Sequence, residues 1–192
     1  MKDPTRSLFR AVKLGDLNAA CAAIAAGADL NAKNSMGQGI LHYAASQGKE
    51  IAELLLDHGA ELNCRDFWGR TTLHLAICEC NPAVEKLFVS RKADVNAKDN
   101  DGNTPLHCAA IHDCVVSTGA LIGGGAFIGI RNNAGKLPLD LASGETRKLL
   151  KIEAEISEFK DAWRKFSFQK SARSAFLPKA VPLLAFTRGA NL

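Results

Sequence analysis

The stretch GNTPLHCAAIHD (residues 102–113) decides the fold. Thr104 is a candidate N-cap, and Pro105 follows at the first helical position, where a missing N–H costs nothing. Leu106, Ala109 and Ala110 then share one face at helical spacing. The helix is short, and its small alanines let a neighbouring helix come close. Alone it cannot cover its apolar face, so the first question is whether it recurs.

It does. Leu-His pairs stand at Leu41-His42, Leu73-His74 and Leu106-His107, at gaps of 32 and 33, and Leu139-Asp140 follows 33 later. Gly37, Gly69, Gly102 and Gly135 keep the same beat. Gly27-Ala28, Gly59-Ala60, Lys92-Ala93 and Gly125-Ala126 form a further series, which Asn31, Asn63 and Asn96 trail by four residues. Within one unit, Gly48 ends the first helix in the left-handed conformation. A second helix over 50–59 puts Ile51, Leu54 and Leu55 on one face and stops at Gly59. An Asn-rich finger, AELNCRDFWG, then turns over at Gly69. Stacked copies of such a unit bury what one copy cannot.

The segments TPLHCAA, LLLDHGAELN and KADVNAKDNDGNTPLH resemble the ankyrin repeat, with its T-P-L-H-x-A pattern and 33-residue period. The resemblance covers roughly residues 5–151. It implies an all-α solenoid of about five helix-turn-helix units with hairpin fingers. The units are Ser7–Lys33, Asn34–Arg65, Asp66–Lys98, Asp99–Arg131 and Asn132–Lys151, the first and last being degenerate caps. The second unit reads GQGILHYAA, so Gly39-Ile40 replaces the helix-starting pair, and it is one residue short between its helices. The third has Cys80 where Gly is usual. The second helix of the fourth, within VVSTGALIGGGA (115–126), is expected to be short or mobile, since each Gly costs about 1 kcal/mol relative to Ala.

The repeat domain is thus assigned to residues 1–151, an amphipathic helix to 152–166 and a basic, flexible tail to 167–192. Leu149, Ile152, Ile156, Phe159, Trp163 and Phe166 recur at gaps of 3 and 4, with charges between them. Such a stripe either caps the last repeat or offers a partner helix. Residues 162–192 hold six Lys+Arg and no acid, within a chain of net charge +4. Basic charge beside Phe and Leu gives the tail an alternative role, targeting a membrane surface or an acidic partner. Six charges without a recognised motif do not point to nucleic acid. No run of about 18 apolar residues marks a transmembrane helix, and the N-terminus lacks a secretory h-region. The six cysteines therefore read as reduced thiols of a cytoplasmic, or else nuclear, monomer.

His42, His74 and His107 invite a catalytic or metal reading, but each occupies the same place in its unit, so they do not surround one centre. The ankyrin resemblance implies instead that this His bonds to backbone between neighbouring units, oriented by the Thr of T-P-L-H, here Thr104 for His107. His42 lacks that Thr. His74-x3-Cys78-x-Cys80 has three soft ligands and no evident fourth. No phosphate loop, dinucleotide fingerprint or H-E-x-x-H occurs, and GGGAFIG (123–129) lacks a Lys and a following helix. The expectation is a non-catalytic adaptor or scaffold with no cofactor and no metal. Phe67 and Trp68 fall at the variable tip positions of a finger. The resemblance places such tips, with the solvent face of the first helices, on a concave surface that binds another protein. The expected binding residues are Met36, Phe67, Trp68, Arg70, Glu79, Asn100, Asp101, Ile111 and His112. The competing reading is that one ring folds back onto a neighbouring finger. The resemblance also marks Asn63, eight residues after Leu55, as a candidate for hydroxylation.

Overall fold

In the computed structural model, residues 3–171 are described, with side chains as far as 161. Helices alternate. The first helices of the units are α1 (Pro4–Leu14), α3 (Ile40–Ala44), α5 (Thr72–Cys78), α7 (Pro105–Ile111) and α9 (Pro138–Leu141). The second helices are α2 (Leu17–Ala25), α4 (Lys49–Asp57), α6 (Pro82–Ser90), α8 (Val115–Gly123) and α10 (Gly144–Ser171). First helices pack on first helices down the stack, and α2, α4, α6 and α8 pack likewise in a second layer. Fingers link each unit to the next, and isolated antiparallel bridges, Lys33 with Gly39 and Arg65 with Thr71, pin two of them. The repeat stack forms one compact unit that closes at Ala154, while α10 runs on into a second. Among the described residues, no helix is long and apolar enough to cross a membrane.

The core follows the period. Leu8, Leu41, Leu73 and Leu106 lie at the same register in consecutive first helices and are all buried. Leu55, Phe88 and Leu121 repeat this at 33-residue spacing in the second layer. Burying each such side chain contributes about 1.5–3 kcal/mol. In α10, Thr146 and Leu150 are buried, whereas Ile152 is 53% exposed, Ile156 39% and Phe159 69%. Trp163, Phe166 and the tail 167–192 fall where side chains or whole residues lie outside the described part.

Three local expectations need correction. Gly48 is not a left-handed stop: its φ is −70° and it forms the N-cap of α4. The missing residue in that unit removes the left-handed position, which Gly15, Cys80 and Asp113 occupy in other units at φ 71°, 51° and 51°. Second, α8 is not shortened. It has nine residues, as α4 and α6 do. Ser117, Thr118 and Leu121 are buried, so packing overrides the poor local propensity. Gly124 has a packing role, because a Cβ there would come within 2.9 Å of Val89 Cγ1. Third, α1 starts before the first unit as assigned. Asp3 accepts from the Thr5 amide at 3.0 Å and Pro4 takes the first helical turn.

The buried histidines tie the stack together. The Thr71 amide donates to His74 Nδ1 at 3.1 Å, the Thr71 hydroxyl to the same nitrogen at 2.9 Å, and Nε2–H donates to the Asn103 carbonyl of the next unit at 3.1 Å. His107 repeats this with Thr104 at 3.1 and 2.9 Å and the Lys136 carbonyl at 3.1 Å. His42 accepts from the Gly39 amide at 3.1 Å and reaches the Arg70 carbonyl at 3.2 Å. In place of the absent Thr hydroxyl, Cys64 Sγ lies 3.5 Å from His42 Nδ1. One unit on, where Thr71 supplies the hydroxyl, the residue matching Cys64 is the small Ala97.

Burial holds all three imidazoles below the ordinary 6.5. The neutral ring is the form the relay requires. Stability is therefore fully present above pH 6.5 and is lost as pH falls through the depressed folded values, since the unfolded chain takes up protons first. Each ring contributes up to about 1.4 kcal/mol per pH unit. Thermal melts should fall steeply from pH 7 to pH 5, and His107→Gln should melt lower at pH 7 and respond less to pH.

Glu85 is a second buried group. It sits where earlier units have Ala20 and Ala52, and its Oε1 has no partner. Burial raises its pKa, partly offset by a hydrogen bond from Ser117. Its folded pKa is raised, so its contribution is most favourable at low pH and is lost as pH rises. Glu85→Gln should stabilise the fold at pH 7 by about 1 kcal/mol, and by less at pH 5, in denaturant titrations.

Candidate protein-binding surface

Each finger turn is built on one Asx side chain. Asn34, Asp66, Asp99 and Asn132 use Oδ1 to accept the amides two and four residues on. This local bond is what favours Asn and Asp at such turns. Asp66 does more. Its side chain is fully buried, and its second oxygen takes Arg70 Nη2 at 2.8 Å and Nε at 2.9 Å. Both N–H groups converge on that one oxygen, and a hydrogen bond between charged groups is stronger than a neutral one. The guanidinium carbon in turn lies 4.6 Å from the centre of the Trp68 ring. Phe67 stands edge-on to Trp68, with centroids 5.8 Å apart and planes at 88°. Phe67 is 74% exposed and Trp68 42%.

The backbone beneath these rings is fixed from both sides. The Phe67 amide donates to the Met36 carbonyl at 2.8 Å. The Asn100 amide donates to the Trp68 carbonyl at 2.9 Å, and its side chain to the Phe67 carbonyl at 3.0 Å. Asn133 repeats the pattern on Asp101 and Asn100. Gly69 is required here: its φ is 73°, and a Cβ would meet the Asn100 amide nitrogen at 2.9 Å.

The other expected binding residues are exposed. Met36 lies at the preceding tip, its carbonyl bonded to the Phe67 amide, and Asp101 lies at the next tip. Glu79 and His112 are the C-caps of α5 and α7, and Ile111 ends α7 at 53% exposure. Asn100 is exposed, but its amide group is committed to Phe67. The Thr104, His74 and His107 side chains are buried in the relays and His42 in its variant, away from this surface. Next to His112, Cys78 is half-buried, and its thiol is held below its ordinary range by a hydrogen bond from Cys108 and then by His112. Among the described residues, no group of three His, Cys, Asp or Glu is arranged to hold a metal ion.

Two periodic series of residues have structural roles beyond marking the repeat. Asn31, Asn63 and Asn96 accept the amides of Glu61, Asp94 and Phe127, each in the next unit, at 2.8, 3.0 and 2.8 Å. The Asn series is itself their signal in the sequence. Arg65, Lys98 and Arg131, also periodic, donate to finger carbonyls: Arg65 to Gly69 and Lys98, Lys98 to Arg131, and Arg131 to Gly135.

Helix-turn-helix units joined by stitched fingers, with imidazole relays between them, define a helical repeat scaffold. The family models "Ankyrin repeats (3 copies)" and "Ankyrin repeat" match residues 8–99 and 101–133. The chain belongs to the ankyrin-repeat family, whose repeats bind other proteins and are generally non-catalytic. It is 34% identical over 96 residues to mouse Rabankyrin-5, covering 43% of this chain and 8% of that protein. It is 45% identical over 56 residues to the NF-kappa-B inhibitor cactus of Drosophila melanogaster, covering 28% of this chain and 11% of that protein. The same identity and length hold for the ADP-ribosylation factor GTPase-activating protein AGD2 of Arabidopsis thaliana, covering 29% and 7%. The matches therefore span only a small part of each relative's length.

The finger separates support from display. Asp66→Ala should destabilise the fold by about 2 kcal/mol, because it frees two partly buried amides and leaves Arg70 without its carboxylate. Phe67→Ala should change stability by less than about 0.5 kcal/mol. Urea titrations of the two variants check both.

Proposed function

We propose that this chain is a non-catalytic adaptor or scaffold that holds a segment of another protein against its finger tips and first helices. The observation that carries this reading is the Phe67–Trp68 pair: two large rings left in solvent on a backbone bonded on both sides. Rings that were merely core would not be exposed. Rings on a loose loop would lose more entropy on docking than rings already held in place. Aromatic side chains with few rotatable bonds are favoured anchors, and Arg70 fixes the tilt of one of them. Met36 and Ile111 extend the apolar area, while Glu79, Asp101 and His112 supply a polar rim. The apolar centre would take an apolar side chain of the partner, and the rim would select its polar flanks. A reducing compartment, cytoplasm or nucleus, suits six cysteines that are free thiols.

The test is affinity purification of the tagged full chain beside the Phe67→Ala, Trp68→Ala double variant. Proteins recovered specifically with the parent should drop at least about tenfold with the variant, as expected for loss of an anchor. The melting midpoint of the variant should stay within about 3 °C of the parent. A collapse of the melt would show that the rings support the fold and would sink the assignment.

A further inference from the structure

We propose that Cys80 and Cys114 form an oxidation site, at which a peroxide joins the two thiols into a reversible disulfide that staples the third repeat to the fourth. Their Sγ atoms lie 3.6 Å apart across the junction, although the residues are 34 positions apart in sequence. Cys80 is exposed and Cys114 half-buried. A disulfide needs the sulfurs at about 2.05 Å, so closing the pair brings them together by about 1.5 Å.

The place of these thiols in the repeat argues for a linking role. Asn81 is the counterpart of Cys114 one unit earlier. Its side chain donates back to the Ala45 and Gln47 carbonyls of the preceding unit at 3.1 and 2.6 Å. Asp113 is the counterpart of Cys80 one unit later and shares its left-handed φ of 51°. Its carboxylate accepts forward from the Thr146 amide at 3.1 Å. On either side, then, these turn positions carry a polar bond between units. Between the third and fourth units the same two positions hold thiols that meet each other. A thiol pair is a weak hydrogen-bonding contact, so at these two positions the reduced junction has the weaker link. Oxidation would make it the most firmly tied.

The chemistry balances with one peroxide. Cys80 is the exposed thiol of the pair and meets the peroxide first, while burial and the Cys80 contact push the half-buried Cys114 thiol up to about 11. The Cys80 thiolate attacks a peroxide oxygen. The O–O bond breaks, and the departing hydroxide takes a proton to leave as water, giving a sulfenic acid on Cys80. Cys114 then attacks that sulfur and releases its proton. The S–O bond breaks and a second water leaves. Two thiols are oxidised to one disulfide while hydrogen peroxide is reduced to two waters, and a small thiol reductant reverses the step. The proposal does not depend on what the finger tips bind.

The full chain, reduced and then treated with one equivalent of hydrogen peroxide at neutral pH, supplies the test. Thiol titration should lose two of the six free cysteines. Intact mass should fall by about 2 Da, and a non-reducing digest should join the Cys80 peptide to the Cys114 peptide. The melting midpoint should rise by about 5–15 °C and return with dithiothreitol. Cys80→Ser or Cys114→Ser should remove all of these changes, whereas Cys78→Ser and Cys108→Ser should leave them intact. Linkage of Cys78 to Cys108 instead, disulfides between chains, or oxidation of Cys80 to a sulfinic acid without linkage would each overturn the proposal.

Discussion

One neutral imidazole, held at both nitrogens, is the interaction that the rest of the structure depends on. His74 takes the Thr71 amide and hydroxyl on one side and gives its remaining proton to the Asn103 carbonyl on the other. The first contact starts a helix within one unit. The second fixes the finger of the next. A single side chain thus sets both the local turn and the spacing between units. Without it, a helix as short as α5, at seven residues, has little reason to persist. The apolar layers of Leu41, Leu73 and Leu106 supply most of the free energy, but burial is non-directional and would accept a slipped stack. The imidazole's two directed bonds do not.

The same logic reaches the surface. Because the relay fixes the base of each finger, neighbouring finger tips can be bonded to one another through Met36, Asn100 and Asn133. The display of Phe67 and Trp68 follows from this rigidity. Asp66 is buried under the tip with all of its oxygens used, so the polar support lies beneath the apolar display. A surface made this way resists collapse of the rings into the core. Substitutions at the tips can therefore vary the surface while the frame stays the same.

Deviations from the repeat are accommodated in pairs. Where Gly39 lacks the hydroxyl, Cys64 fills the space beside His42; where Thr71 has it, the corresponding residue shrinks to Ala97. The gap between helices in the second unit is one residue short, and Gly48 drops the left-handed turn in favour of an N-cap. The weak second helix of the fourth unit keeps its full length because Ser117, Thr118 and Leu121 pack inward. Such compensations involve residues distant in sequence. Propensity, counted residue by residue, does not register them.

The sequence by itself determined the fold. A 32–33-residue recurrence of Leu-His, Gly and Asn can be met only by stacked units, because one unit has too little core to stand alone. It also placed Phe67 and Trp68 at a turn tip, where the chain reverses and core is out of reach. Tertiary structure alone decided how those rings are held: through burial of Asp66, its pairing with Arg70, and bonds to two neighbouring fingers. It likewise decided that the exposed Cys80 lies against Cys114. The physical reason is that a period fixes which residues share a register, while the small rotation and shift between units fix which side chains touch. That rotation is set by the sum of all contacts along the stack and is written in no single segment.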